Sequence, residues 1–316
     1  MKLEVINLKK EYRKYFRKCL AVDNLSFTIE TSEITGFIGP NGSGKTTTMK
    51  MILTIDSCDG GDIKLNGLSI LEYPELIREY FGYVPDILPS NKDMTVHEYL
   101  DFFACAYNYK SPVRQEILEE IEELTHLSEI KEKIIANLSN GMKQRVSIAR
   151  SLISDPDFII MDEPASGLDP KERIELKELL KYLKKLGKGI FISSHILSDL
   201  SEICDSVVII EKGKLLKAGK INDVIGEVAK SHRPIFQIQT VALLDEEIVK
   251  AISLEPMVSN ISVNGNTIEF EYAGSEEQAV EMIGGLTEKG FRFSSFGFKQ
   301  ENLESVFMNL TKGDLQ

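Results

Sequence analysis

The run GPNGSGKTT, Gly39 to Thr47, follows the apolar stretch ITGFI, Ile34 to Ile38, and precedes the helix-like TTTMKMIL, Thr46 to Leu53. It fits G-x-x-x-x-G-K-[ST] in the strand-then-helix setting that makes this pattern a phosphate-binding loop. The chemistry explains the residue types. A backbone that wraps closely around phosphate oxygens and aims successive N–H groups at them has no room for Cβ atoms, hence Gly39, Gly42 and Gly44. Pro40, Asn41 and Ser43 complete the loop, and the following helix adds the positive end of its dipole. Within this motif Lys45 is expected to bridge the β- and γ-phosphates, Thr46 to hold Mg²⁺, and Thr47 to reach a phosphate nearer the sugar.

Working outward, short apolar runs alternate with longer periodic stretches from residue 1 to about 225, as in an α/β fold. Strands are expected at Glu4 to Leu8, Leu25 to Ile29, Ile34 to Ile38, Phe158 to Asp162, Ile190 to Ser194 and Val207 to Glu211. Between about Thr95 and Ser154, apolar residues recur three and four apart in TVHEYLDFFACAY, VRQEILEEIEELTHL and MKQRVSIARSLIS. That spacing predicts consecutive helices, a helical subdomain over about residues 86–155 inserted in the α/β domain. A boundary is expected before Pro234, giving domains 1–225 and 226–316. The second reads β-α-β-β-α-β: a strand IFQIQ, a helix from Asp245 to Ile252, two strands around Asn264 to Asn266, a helix from Glu276 to Lys289 and a strand FRFSSFGF. This order is the ferredoxin-like α+β arrangement.

Two further strand ends carry polar chemistry. FIIMDEP closes an apolar strand on Asp162 and Glu163, a poor ending unless a cation or a reaction is served there. Beside a phosphate loop, Asp162 is suited to stabilise Mg²⁺ through its water shell and Glu163 to act as general base on the attacking water. GIFISSH ends on His195, an imidazole placed to contact a γ-phosphate and position water.

NLSNGMKQRVSIARSL lies shortly before the acidic strand. Together with Gly39 to Thr47, Asp162, Glu163, SGLD at Ser166 to Asp169 and His195, it resembles the ATP-binding cassette of ABC transporters over about residues 1–225. The signature is similar to the family's L-S-G-G-Q: Ser139 and Gly141 are kept, Asn140 replaces the first Gly and Met142 replaces Gln. A helix start bearing a hydroxyl is a natural anion site, and also an ordinary N-cap.

The resemblance implies an ATPase whose signature, through Ser139 and Gly141, holds the γ-phosphate of ATP bound to a second cassette, with Asp169 coupling the two halves. One phosphate loop and one signature per chain imply a homodimer, or a heterodimer with a similar cassette, and a membrane permease on a separate polypeptide. Tyr12 takes the place of the family's adenine-stacking aromatic, with Tyr15 and Phe16 as rivals. Asp86 replaces a Gln that touches Mg²⁺ and the attacking water, and an acidic residue there is also able to ligate the metal. Asp86, GMKQR and the tail NLESVFMNLTKGD look like the exporter subclass that handles drugs, bacteriocins, ions or polysaccharides. A non-transport ABC ATPase acting on nucleic acid or ribosomes is the alternative, and a catalytically weakened regulatory cassette a third. Tandem-cassette translation factors need two phosphate loops, and repair ATPases need coiled coils or zinc sites. This sequence shows one loop and neither of those features.

Composition narrows the setting. A formal charge of -12 disfavours nucleic acid, whose binding depends on basic residues. The one basic patch, LKKEYRKYFRK, is expected to be a solvated hairpin. No stretch supplies the roughly 18 uninterrupted apolar residues of a spanning helix. Cys19, Cys58, Cys105 and Cys204 are widely spaced and expected to be reduced thiols. The expected location is cytoplasmic, peripheral on the inner face of the cell membrane.

Overall fold

The computed structural model describes residues 1–14, 17–88, 93–194, 196–231, 233–241, 246–299 and 302–312. Along the chain, β1 (Lys2–Lys14) and β2 (Arg17–Glu30) form a long hairpin, followed by β3 (Ile34–Ile38) and α1 (Lys45–Ile52). Next come β4 (Gly60–Leu65), β5 (Leu68–Ser69), α2 (Pro74–Ile77) and β6 (Phe81–Val84). Three helices follow: α3 (Val96–Ala106), α4 (Val113–Leu124) and α5 (Asn140–Leu152). The chain returns through β7 (Phe158–Met161), α6 (Pro170–Lys185), β8 (Gly189–Ser194), α7 (Leu197–Ser201), β9 (Ser206–Glu211), β10 (Lys214–Lys220) and α8 (Ile221–Ser231).

Two sheets build this part. A six-stranded sheet runs β10-β9-β3-β8-β7-β6, with four of its five pairings parallel and the β9/β10 edge antiparallel. Strands β3, β7 and β8 are buried along their whole length, as expected where both faces of a parallel sheet are covered. The second sheet, β2-β1-β4-β5, is antiparallel. In β2 the residues Leu25, Phe27 and Ile29 are buried in alternation, turning one face inward. Phe27 meets Phe37 and Phe191 from the other sheet, with ring centroids 5.7 and 5.5 Å away, and Phe37 stacks on Phe191 at 4.9 Å.

Because β3, β8, β7 and β6 are parallel neighbours, the loops after them open along one edge of the sheet, where ligands bind in folds of this type. The helices α3 to α5 are tied to that edge by Arg150. Its guanidinium donates to the Tyr83 carbonyl at 2.9 Å and to Tyr99 Oη at 3.3 Å, and lies 5.4 Å from the Phe103 ring centre. Thr95 starts α3 with a capping box closed by Glu98. His97 Nδ1 pairs with the buried carboxylate of Glu122 at 2.6 Å, joining α3 to α4.

The remaining elements are β11 (Ile235–Thr240), α9 (Glu246–Ser253), β12 (Val258–Asn264), β13 (Thr267–Tyr272), α10 (Glu276–Glu288), β14 (Phe293–Phe298) and α11 (Leu303–Lys312). Their sheet is antiparallel in the order β12-β13-β11-β14. Its core combines Phe236, Ile238, Ile268 and Phe270 with Ile248 and Ile252 of α9 and Met282, Ile283 and Leu286 of α10. The chain divides into two compact units, Asn222–Val306 and the rest.

Several strands lie outside the sequence expectations. β1 and β2 extend far beyond Glu4 to Leu8 and Leu25 to Ile29, because Lys10↔Val22 through Lys14↔Arg17 pair although many of their side chains are polar. β4 opens on Gly60, Gly61 and Asp62 and buries only Ile63 and Leu65, β5 has two residues, β10 is largely exposed, and β6 has only four residues. Replacing the fully buried Phe191 by Ala removes the ring that both Phe27 and Phe37 stack upon. We expect Phe191→Ala to cost about 3–5 kcal/mol, read as a lower urea midpoint in circular dichroism.

Candidate functional site

Gly44 is the N-cap of α1 at φ 104, a left-handed backbone. A Cβ there would stand 2.5 Å from the Ala21 carbonyl oxygen, so only glycine passes. The helix therefore begins at Lys45, with no acidic residue in its first turn to oppose an anion. Lys45 is buried at the start of the helix, and its ammonium donates to the carbonyls of Gly39 at 2.7 Å and Pro40 at 3.4 Å. It thus curls back over the loop that Gly39, Pro40, Asn41, Gly42 and Ser43 form. The Ser43 carbonyl in turn accepts from the Gly213 N–H at 2.9 Å, anchoring the loop to the β9–β10 turn.

The acid pair stands at the end of β7. Asp162 is 5% exposed and its carboxylate accepts from two hydroxyls, Thr46 at 2.7 Å and Ser193 at 2.7 Å. Its own N–H donates to the Val84 carbonyl at 2.9 Å, which brings the end of β6 alongside. Glu163 has φ 50, an unusual value for a residue with a Cβ. That backbone is held by the Glu163 N–H donating to Ser193 Oγ at 2.9 Å, and Glu163 Oε1 lies 3.6 Å from Lys45 Nζ. Strain of this kind, over-determined by neighbours, is a feature of working sites.

Asp86 follows β6 and exposes its side chain at the edge of this group. Desolvation against the protein, followed by the charges of Asp162 and Glu163, raises its carboxyl above the ordinary aspartate value. The Asp86 carboxyl thus stands within reach of the charges on both acids of the pair. Thr46 and Asp162 present hard oxygen donors of the kind Mg²⁺ takes. Among the described residues no group of three or more His, Cys, Asp or Glu forms a ready-made metal cage. That donor set fits an ion carried in with a polyphosphate rather than one held by protein alone.

Asn41, Gly42, Gly44, Lys45, Thr46, Thr47 and Glu163 line a cavity of about 290 Å³ that also takes in Tyr12 and Ala21. Tyr12, on β1, is 40% exposed there. Its rivals Tyr15 and Phe16 lie outside the described residues, as does His195. The structure gathers Ser139, Gly141 and Asp169 in a second cluster. Ser139 caps α5, accepting from the Met142 N–H at 3.2 Å, and Asp169 caps α6 with a capping box. One side chain connects them: Glu172 accepts from Ser139 Oγ at 3.1 Å and from the Asp169 N–H at 3.3 Å. Its carboxylate rests against Gly141, where a Cβ would come within 2.1 Å.

Ser193 and Glu172 lie outside the sequence expectations for the site. Glu172 was legible as the fourth residue of an Asp-x-x-Glu capping box. Ser193 carried no such signal, since its importance comes from the parallel pairing of β7 with β8. Ser193→Ala leaves an Asp162 oxygen and the Glu163 N–H without this partner. We expect a loss of about 1–3 kcal/mol in urea unfolding, and weaker nucleotide turnover in a phosphate-release assay.

Comparison with known proteins agrees with this geometry. A family model described as ABC transporter matches residues 22–166, from β2 through the phosphate loop to the acid pair. Nod factor export ATP-binding protein I of Burkholderia lata is 32% identical over 304 residues, covering 96% of each chain. A solved ATP binding subunit of an ABC transporter superposes with TM-score 0.64 at 31% identity, over 72% of this chain and 93% of its own. The cbiO1 protein of Clostridium perfringens, described as part of the ABC transporter complex cbiONQ, gives 0.63 at 29% identity, over 72% and 91%. Likeness that runs nearly the full length and embraces the loop and both acids settles the family: this chain belongs to the ABC transporter ATP-binding proteins, and is an ATP-binding, ATP-hydrolysing subunit of such a transporter.

Proposed function

We propose that the chain powers export through a permease carried on a separate polypeptide, by closing on a second cassette around ATP. The observation that carries this reading is the joining of Thr46, Asp162, Ser193 and Glu163 across three strand ends, beside the cavity under the phosphate loop. The names of the relatives that match over nearly the full length speak for export. Among the described residues no helix is long and apolar enough to cross a membrane, which supports a separate membrane partner. A location on the inner face of the cell membrane follows from that partnership.

In this reading the loop N–H groups and the Lys45 ammonium grip the β- and γ-phosphates, and Tyr12 supplies a face for adenine. Thr46 and Asp162, with Asp86 adjoining, would hold Mg²⁺, which would supply positive charge beside the phosphate oxygens. Lys45 leaves its resting carbonyls on Gly39 and Pro40 for the phosphates, which also separates it from Glu163. Glu163 then accepts a proton from the attacking water, its direction fixed by the bond from its own N–H to Ser193 Oγ. His195 contacts the γ-phosphate. Ser139 and Gly141 serve the nucleotide of the second cassette and Asp169 couples the halves. Support for this division is the gathering of those three residues in a cluster of their own.

The C-terminal unit is, in our reading, a ferredoxin-like accessory domain. The alternation β-α-β-β-α-β and the strand order β12-β13-β11-β14 support it. The cargo is selected by the membrane partner.

Glu163→Gln keeps the shape and removes the base. We expect ATP to bind, turnover to fall by at least about a hundredfold, and an ATP-bound dimer to accumulate in light-scattering chromatography. Unchanged turnover would remove Glu163 from this role. Asp86→Gln is expected to preserve ATP affinity and to alter the hydrolysis rate, read by calorimetry beside phosphate release. A loss of ATP affinity in that variant would show Asp86 acting on binding instead.

A further inference from the structure

Tyr12 is held more firmly than a ring on an exposed hairpin requires. Its hydroxyl donates to Asp56 Oδ2 at 2.6 Å, while Lys10 Nζ donates to Oδ1 of the same carboxylate at 2.8 Å. The Lys10 ammonium also lies 5.2 Å from the centre of the Tyr12 ring. Lys10 is only 6% exposed, a costly position for an ammonium unless it is paired.

Asp56 stands where a carboxylate is disfavoured by local structure. It follows the last turn of α1, its N–H donating to the Lys50 carbonyl at 3.1 Å, and so faces the negative end of the helix dipole. The Lys10 and Tyr12 hydrogen bonds outweigh that cost and hold the Asp56 carboxyl below its usual range. The neighbouring residues complete a clamp on β1. The Asp59 N–H donates to the Lys9 carbonyl at 2.8 Å, and the Glu11 N–H donates to Asp59 Oδ2 at 2.6 Å.

One end of α1 thus leaves the phosphate loop, and the segment after its other end grips the strand that carries Tyr12. The separation between the phosphate grip and the ring is set by a single short helix. A bond that served only to stabilise the hairpin would have no reason to end on the phenol hydroxyl at the cavity wall.

We propose that Asp56, assisted by Lys10, is a positioning residue for the nucleobase: it orients the Tyr12 ring through the phenol hydroxyl and ties that platform to the helix that follows the phosphate loop. This rests on the reading of Tyr12 as the adenine platform. The pair makes tyrosine, rather than any aromatic, the residue this cavity needs.

The test compares magnesium-ATP with magnesium-tripolyphosphate, which has the phosphates and no base, by calorimetry on the full chain. Tyr12→Ala should weaken ATP about tenfold and leave tripolyphosphate unmoved, the loss expected for one base–aromatic stack. Tyr12→Phe and Asp56→Ala should each weaken ATP about threefold to tenfold with tripolyphosphate unmoved, and the double variant should lose no more than either alone. If Tyr12→Ala lowers ATP affinity while Tyr12→Phe and Asp56→Ala bind ATP like the unaltered chain, the Asp56 proposal falls and the platform stands. Equal weakening of tripolyphosphate in Asp56→Ala would make Asp56 a structural residue and also overturn it. If Tyr12→Ala leaves ATP binding intact, the platform reading fails and the proposal with it. Should Asp56→Ala fail to fold, Tyr12→Phe decides alone.

Discussion

A single buried carboxylate holds the working edge of this protein together. Asp162 accepts hydrogen bonds from Thr46, at the start of the helix after β3, and from Ser193, near the end of β8, while its own N–H reaches the end of β6. A buried charge is tolerable only when its lone pairs are met, and here they are met by hydroxyls from separate segments. Fixing Asp162 therefore fixes the phosphate loop, the acid pair and the strand that leads to Asp86 relative to one another. Glu163 inherits its direction from the same Ser193 hydroxyl.

Charge balance gives the arrangement its demand for a ligand. The charges of Asp162 and Glu163 oppose ionisation of Asp86, and the Lys45 ammonium lies 3.6 Å from Glu163 Oε1. A nucleotide alone would add negative charge to this edge. A nucleotide accompanied by a divalent cation adds the positive charge the carboxylates lack and draws Lys45 toward phosphate oxygens. The loop backbone, with the positive end of α1 behind it, needs no rearrangement of charge to receive them.

Much of this edge was legible in the sequence because its chemistry is local. The phosphate loop is nine consecutive residues whose glycines and lysine have one physical reading, and the apolar strand ending in Asp162 and Glu163 announces a buried acid. What the sequence withheld was set by pairing across the sheet. Ser193 matters because β8 lies between β3 and β7, a neighbourhood no local pattern encodes. Asp56 belongs to no local motif, and its contact with Tyr12 spans 44 residues. The outer part of the first hairpin pairs through largely polar side chains and β10 is largely exposed, so neither carries an apolar alternation, while β4 shows one only at Ile63 and Leu65.

The central claim is that main-chain amides and the Lys45 ammonium grip a triphosphate at the strand edge organised by Asp162. It is tested most directly by calorimetric titration of the purified full chain with ATP, in magnesium and again in excess chelator. The account predicts saturable binding with magnesium, clearly weaker binding without it, and loss of both in Lys45→Ala. Absence of binding to the unaltered chain at about millimolar magnesium-ATP, a concentration at which even a weak site is half filled, would contradict it.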